Sequence, residues 1–156
     1  MGYGWADLNA SMYKAKIEKA VADIKKLQPK LKFDALAFSG SSGAAIAFPA
    51  AVELCIPIIY VRKKGEKSHG DEIETTLADF DDDIKYLIVD DFICEGGTVT
   101  RIYKKLSKKR KDGRDPLTCV GIYQWSSRDA RREDSYTIYT SQMADGVTLK
   151  LFRAKA

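Results

Sequence analysis

The chain has few cysteines and no long apolar stretch, and both shortages exclude whole classes of protein. Its three cysteines, Cys55, Cys94 and Cys119, are odd in number and far apart, each lies in or beside an apolar run, and none forms a C-x-x-C pair. That pattern supports neither a disulfide framework nor a zinc site. No apolar run approaches the ~20 residues that a membrane helix needs. The first residues, MGYGWADLNAS, lack the basic start and apolar stretch of a secretory signal, and Ala6 stands where a myristoylation motif wants Ser or Thr. A cytoplasmic location is therefore expected. There is no internal repeat and no linker-like segment. A formal charge of +4 suits an anionic ligand but is too small to argue for nucleic acid. With 156 residues, 45% of them hydrophobic, the chain can bury a core of its own, so residues 1–156 are expected to form one soluble domain.

What the chain does contain is concentrated in Tyr86 to Thr100, YLIVDDFICEGGTVT. Tyr86 to Val89 reads as a short buried strand, Asp90 and Asp91 stand at its end, and a glycine-bearing turn leads through Thr98 into a helical run over Val99 to Leu106. In a parallel α/β sheet, ligands sit at the carboxyl ends of strands, and a turn opening onto a helix offers backbone N–H groups to an anion. Gly96 and Gly97 permit close backbone approach, and the Thr98 hydroxyl adds a donor. Two carboxylates beside a phosphate cradle would repel the phosphate, so they are expected to face hydroxyl groups or a cation. A sugar phosphate satisfies both halves.

The rest of the chain alternates helices and strands. Ile17, Val21, Ile24 and Leu27 share one face of a helix over residues 11–28, capped by Asn9 or Ser11 and ended by Pro29. Phe33 to Phe38 is a strand, SGSSG at 39–43 a turn, and Ala44 to Leu54 a helix in which Pro49 marks a kink or the true first turn. Ile56 to Val61 is a buried strand, and 62–76, RKKGEKSHGDEIETT, is a polar, Lys- and Gly-rich loop or hairpin holding His69, the only histidine. The acids from Asp79 to Asp83 read as a solvated connection. KKLSKKRKDGR at 104–114 puts positive charge at a helix C-terminus, where it complements the dipole. Leu117 to Trp125 is the next strand. Tyr136 to Tyr139 and Val147 to Phe152 are two more, with Ala144-Asp145-Gly146 as the hairpin turn between them. The aromatic residues Tyr3, Trp5 and Tyr13 read either as a packed terminal arm or as part of a base-binding hood. Tyr123 and Trp125 stand either for ring stacking or for core packing.

VDDFICEGGT resembles the fingerprint of the type I phosphoribosyltransferases, in which an apolar run, two acids and a few variable positions precede G-G-T. Two further segments are similar to the same family. AFSGSSGAAIAFPAAVELCIPIIYVRKKG looks like the corresponding stretch of the adenine and orotate enzymes, and the loop at 62–76 resembles the R-K-x-x-K-x-H-G loop of the orotate enzymes with one extra residue. The resemblance covers about residues 33–124. It implies a Rossmann-like α/β core with a central, mostly parallel sheet, and a small hood built from about residues 1–30 and 125–156. It also implies transfer of the 5-phosphoribosyl group from phosphoribosyl pyrophosphate (PRPP) to a nitrogen of a nucleobase or related heterocycle, releasing pyrophosphate, as in nucleotide salvage.

Carried over residue by residue, the resemblance implies that Asp90 and Asp91 hold the ribose hydroxyls and, directly or through those hydroxyls or water, Mg²⁺. Cys94, Glu95, Gly96, Gly97 and Thr98 would hold the 5′-phosphate. Gly40, Ser41, Ser42 and Gly43, with Arg62 and Lys63, would hold pyrophosphate. Lys67 and His69 would act with Asp90 and Asp91 in catalysis, from a lid that closes over the leaving group. In the orotate enzymes that loop reaches the neighbouring subunit, so a homodimer is implied. Glu95 departs from the pattern, since the family commonly has Thr, Ser or Ala there. The alternative is a PRPP-binding regulatory protein that has the fold without the catalysis. Neither reading names the base.

Overall fold

The computed structural model describes residues 10–63, 65–66, 72–77, 83–91, 93, 95–108, 110, 113–126, 134–140 and 143–154. The chain runs α1 (Ala10–Leu31), β1 (Ala35–Phe38), α2 (Ser41–Leu54), β2 (Ile58–Val61), β3 (Ile73–Thr75), β4 (Lys85–Asp90), α3 (Gly97–Leu106), β5 (Thr118–Gln124), β6 (Ser135–Thr140) and β7 (Met143–Arg153). The strands form one sheet in the order β3-β2-β1-β4-β5-β7-β6. Pairs β1–β2, β1–β4, β4–β5 and β5–β7 are parallel, while β2–β3 and β6–β7 are antiparallel. This is the mostly parallel α/β core expected from the alternation of elements.

Apolar residues alternate between two cores because successive strand residues face opposite sides of the sheet. Leu36, Phe38, Leu87, Val89 and Tyr123 pack with Ala20 and Ile24 of α1 and Ile46, Ala47 and Ala50 of α2. Ala35, Ala37, Tyr86, Ile88 and Ile122 pack on the other side with Val99, Ile102 and Leu106 of α3. Crossover β1–α2–β2 therefore lies on one face and β4–α3–β5 on the other. The chain leaves β1 and β4 in opposite directions, and the crevice between their carboxyl ends is the topological switch point at which open α/β sheets bind ligands.

Four expectations need correction. Pro29 does not end α1, which runs on to Leu31 and stops at Lys32, a left-handed residue at φ 54°. A proline this near the C-terminus removes a single helical hydrogen bond, so the helix survives it. The turn expected at 39–43 is shorter, because Ser41, Ser42 and Gly43 already belong to α2. Pro49 lies inside α2. The carbonyl of Ala45, which a proline four residues on cannot serve, accepts a hydrogen bond from the Tyr13 hydroxyl at 3.1 Å. Tyr13 thereby ties α1 to α2, as in the packed-arm reading; Tyr3 and Trp5 lie outside the described residues.

The fourth correction concerns Ala144-Asp145-Gly146, which lies within β7 and not in a turn; Thr140 pairs with Met143, so the chain reverses between those two. Gly146 has φ 69° beside a register shift at Ile138/Thr140, and a Cβ there would lie 2.9 Å from the Ile138 carbonyl. A positive-φ glycine serves a bulge as readily as a turn. Strands β6 and β7, within the C-terminal share of the expected hood, continue the main sheet beyond β5.

Candidate functional site

Two helices open into the crevice without side-chain caps. α2 starts after Gly40 (φ 84°) and α3 after Gly96 (φ 76°), and neither N-cap makes a side-chain hydrogen bond. The first backbone bonds inside the helices are Ala44 N–H to the Gly40 carbonyl and Thr100 N–H to the Gly96 carbonyl. The N–H groups of Ser41, Ser42 and Gly43, and of Gly97, Thr98 and Val99, have no carbonyl within their helices to meet. Each set is a place for an anion.

The turn expected to hold a phosphate leads into α3. Gly97 and Glu95 are exposed, Thr98 is half-buried, and a Cβ added at Gly97 would meet nothing within 4 Å. Gly96 is buried, and the space its side chain would fill is taken by the Tyr136 hydroxyl from β6. Cys94 lies outside the described residues.

Asp90 closes β4, with only 4% of its surface exposed, and its Oδ1 accepts the Asp91 N–H at 2.9 Å. Burial, and after it the Asp91 carboxylate, push the Asp90 carboxyl up to about 8, against an opposing pull from Lys63. In the ligand-free protein Asp90 is therefore more readily protonated than an ordinary carboxyl. A protonated carboxyl both donates and accepts, which suits a sugar hydroxyl, and a cation brought alongside would expel the proton.

The second cradle lies across the crevice. Lys63, just beyond β2, reaches over Gly40 so that Cε and Nζ are 3.2 and 3.3 Å from where a Cβ would stand. Lys63 thus joins Gly40 and Asp90 in one place. Its N–H donates to Glu66 Oε2 at 3.1 Å, and the Tyr60 hydroxyl donates to the same oxygen at 3.1 Å. The Lys63 N–H is the first cause of the lowering of the Glu66 carboxyl below its usual range. Arg62 is engaged elsewhere, pairing with Glu74 of β3 and lying 5.1 Å over the Tyr60 ring. Gly43 is buried, and a Cβ on it would stand 2.8 Å from the Val89 carbonyl and 2.9 Å from Phe38 Cβ. It lets α2 approach the sheet. Lys67 and His69 lie outside the described residues.

Three further residues belong to this neighbourhood and escaped the sequence reading. Arg101 of α3 donates from Nη1 to Ser39 Oγ at 3.3 Å, linking α3 to the end of β1. Tyr136 stands against Gly96. Gln124 is the register partner of Asp90 and is fully buried. For Gln124 the available signal was an amide interrupting the apolar run GIYQW; for the other two the contacts join segments far apart in sequence. Tyr123 and Trp125 prove to be core aromatics: Tyr123 is 1% exposed and donates to Asp23 at 2.9 Å, and Trp125 is 4% exposed and donates from Nε1 to the Ser42 carbonyl at 2.9 Å.

These features define a class: an α/β protein with two anion cradles and an acid pair at the switch point of a parallel sheet. Solved structures share its fold. An adenine phosphoribosyltransferase aligns with a TM-score of 0.58 at 15% identity, covering 94% of this chain and 82% of the other. The orotate phosphoribosyltransferase of Francisella tularensis aligns with a TM-score of 0.54 at 15% identity, covering 94% and 66%. The Saccharomyces cerevisiae adenine phosphoribosyltransferase, solved with adenine and an imino-altritol bisphosphate, gives 0.53 at 18% identity, covering 74% and 68%. In sequence, the chain is 30% identical over 105 residues to a curated adenine phosphoribosyltransferase of Malacoplasma penetrans. That match spans 60% of this chain and 61% of the relative. No protein-family model matches the chain. In fold and in this partial match, the chain is similar to the type I phosphoribosyltransferases, and it spans less than two thirds of the curated relative's length. Among the described residues, no helix is long and apolar enough to cross a membrane.

Proposed function

We propose that the protein is a phosphoribosyltransferase enzyme that joins the 5-phosphoribosyl group of PRPP to a ring nitrogen of a nucleobase or related heterocycle and so makes a nucleotide, a salvage step placed in the cytoplasm. The observation that carries this reading is the convergence of two uncapped helix N-termini on a strand-end acid pair, with Lys63 between them. PRPP has a phosphate at one end and a pyrophosphate at the other with a diol between, and the crevice repeats that order.

In this reading Asp90 and Asp91 hold the ribose hydroxyls. The turn from Cys94 through Glu95 to Gly96, Gly97 and Thr98 holds the 5′-phosphate through backbone N–H groups and the Thr98 hydroxyl. Gly40, Ser41 and Ser42 hold pyrophosphate, aided by Lys63, with Gly43 setting the close approach of α2. Arg62, Lys67 and His69 complete the lid. The lone pair of the acceptor nitrogen forms the new bond to the anomeric carbon. The carbon–oxygen bond breaks with its electrons going to pyrophosphate, and the acceptor's surplus proton leaves to solvent. Cations at the leaving group act where negative charge develops.

No group of three or more His, Cys, Asp or Glu able to hold a metal occurs among the described residues. The carboxyls present fit Mg²⁺ in its usual manner, bound through one or two carboxylates together with substrate phosphate oxygens. When bound, Mg²⁺ would neutralise charge on the departing pyrophosphate. The homodimer, in which residues 62–76 reach the partner's site, rests on the resemblance of that loop and is checked by sedimentation.

The test is pyrophosphate release on mixing the protein with PRPP, Mg²⁺ and each of a panel of nucleobases, adenine and orotate among them. Release with one of these bases and not without it supports the enzyme. Binding of PRPP without release would establish the regulatory alternative, and no binding would remove both.

A further inference from the structure

Gln124 ends β5 with none of its surface exposed, and among the described residues neither Oε1 nor Nε2 of its amide has a hydrogen-bond partner. Burying such a group unpaired destabilises the fold, and native proteins rarely leave one without a reason. Its position supplies the reason. Ile122 belongs to the core on the α3 side and Tyr123 to the core on the other, so the Gln124 side chain falls on the α3 side. By the same alternation Asp90, its register partner, faces that side too, and so does Arg153 beyond it on β7. The amide therefore lies next to the acid pair, on the phosphate-helix face of the sheet.

The strand order then says what would lie there. This step rests on the phosphoribosyltransferase reading. The pyrophosphate cradle belongs to β1, the ribose acids to β4 next to it, and Gln124 to β5 on the far side of β4. In a displacement at the anomeric carbon, the entering nitrogen and the departing oxygen occupy opposite sides of that carbon. If pyrophosphate departs toward β1, the acceptor approaches from β5. We propose that Gln124 is the residue that recognises the acceptor, its amide pairing with a heterocycle edge that presents a hydrogen-bond donor and acceptor side by side, such as an amidine or lactam edge. The ligand supplies both partners that the amide lacks. The ring that Gln124 selects is planar and neutral along that edge, since an amide offers no charge to balance one. Rotation about the glutamine's own side-chain bonds brings the amide to the ligand.

The inference makes a paired claim that a structural glutamine would not meet. Gln124→Met keeps the volume and removes the orphaned amide, so the free protein should melt higher than wild type, while the KM for the accepted base, adenine or orotate, should rise at least about tenfold. PRPP affinity, measured by calorimetry, should stay within about twofold. Gln124→Glu keeps the shape but loses the donor, and should raise the KM in the same way without the gain in melting temperature. A Gln124→Met protein that melts several degrees lower, or one with unchanged base KM, overturns the assignment while PRPP binding stands. Wild-type protein that binds no PRPP overturns the parent reading and this one with it.

Discussion

The two cradles, β1–Gly40–α2 and β4–Gly96–α3, use one backbone device and surround it differently. Each has a positive-φ glycine, extended in ψ at Gly40 and left-handed helical at Gly96, an uncapped helix start and an orientation toward the same crevice. What lies over Gly40 is the tip of a lysine, which can move and carries positive charge; what lies over Gly96 is the ring of Tyr136, which is rigid and neutral. α2 is apolar on most sides and wedged against the sheet by Gly43, whereas α3 is amphipathic and ends in Lys104 and Lys105. A positive-φ glycine before an uncapped helix can thus form a charged, adjustable cradle or a fixed one. A leaving group that must come and go suits the first, and a phosphate that anchors the substrate throughout suits the second.

The comparison breaks most completely at the acids between the two cradles. Asp90→Asn with Asp91→Asn should abolish PRPP binding with the fold intact, since strand-end carboxylates give up charge and create no cavity; calorimetry and thermal melting read the two halves. Next comes the contrast of the glycines. Both substitutions meet positive-φ strain of about 1–3 kcal/mol; Gly96→Ala also meets the Tyr136 ring and should lose about 1–3 kcal/mol more in urea unfolding than Gly40→Ala, where the lysine tip can swing away. Equal losses would show the surroundings to be irrelevant.

The pH dependence sharpens the picture of the acid pair. The Asp90 carboxyl titrates near 3.9 in an unfolded chain and at about 8 when folded. Between those values the native state holds the extra proton, so this group's contribution to stability is full below about pH 4 and is lost as pH rises to about 8. Asp90→Asn should remove a fall of at least ~1.4 kcal/mol, the worth of one pKa unit, between pH 5 and pH 8. Lys67→Ala and His69→Ala should lower kcat at least about tenfold, or ~1.4 kcal/mol, with PRPP affinity changing less, because lid cations act on developing charge. The smallest effect is expected at Glu95, whose side chain is exposed. Glu95→Thr removes a partly screened like charge and should tighten PRPP binding about three- to thirtyfold, or ~0.7–2 kcal/mol. Unchanged or weaker binding would give Glu95 a positive role and reopen the phosphate turn.

The sequence by itself determined what is local. The run from Tyr86 to Thr98 places strand, acids, glycines and helix in consecutive order, and because adjacent residues cannot separate, that half of the site was legible before any fold was known. Apolar periodicity located the helices and all strands but the short β3. Glycines and prolines were less clear, since positive φ serves a turn at Gly40 and a bulge at Gly146 alike, and a helix tolerates Pro29 and Pro49 when few hydrogen bonds are lost or another partner steps in. Only the tertiary structure decided the pairings across distance: Lys63 over Gly40, Tyr136 against Gly96, Arg101 on Ser39 and Gln124 beside Asp90. These depend on which strands neighbour which and on which face each residue takes. Strand order is set by the packing of the whole sheet, a sum over many weak contacts that no single segment contains.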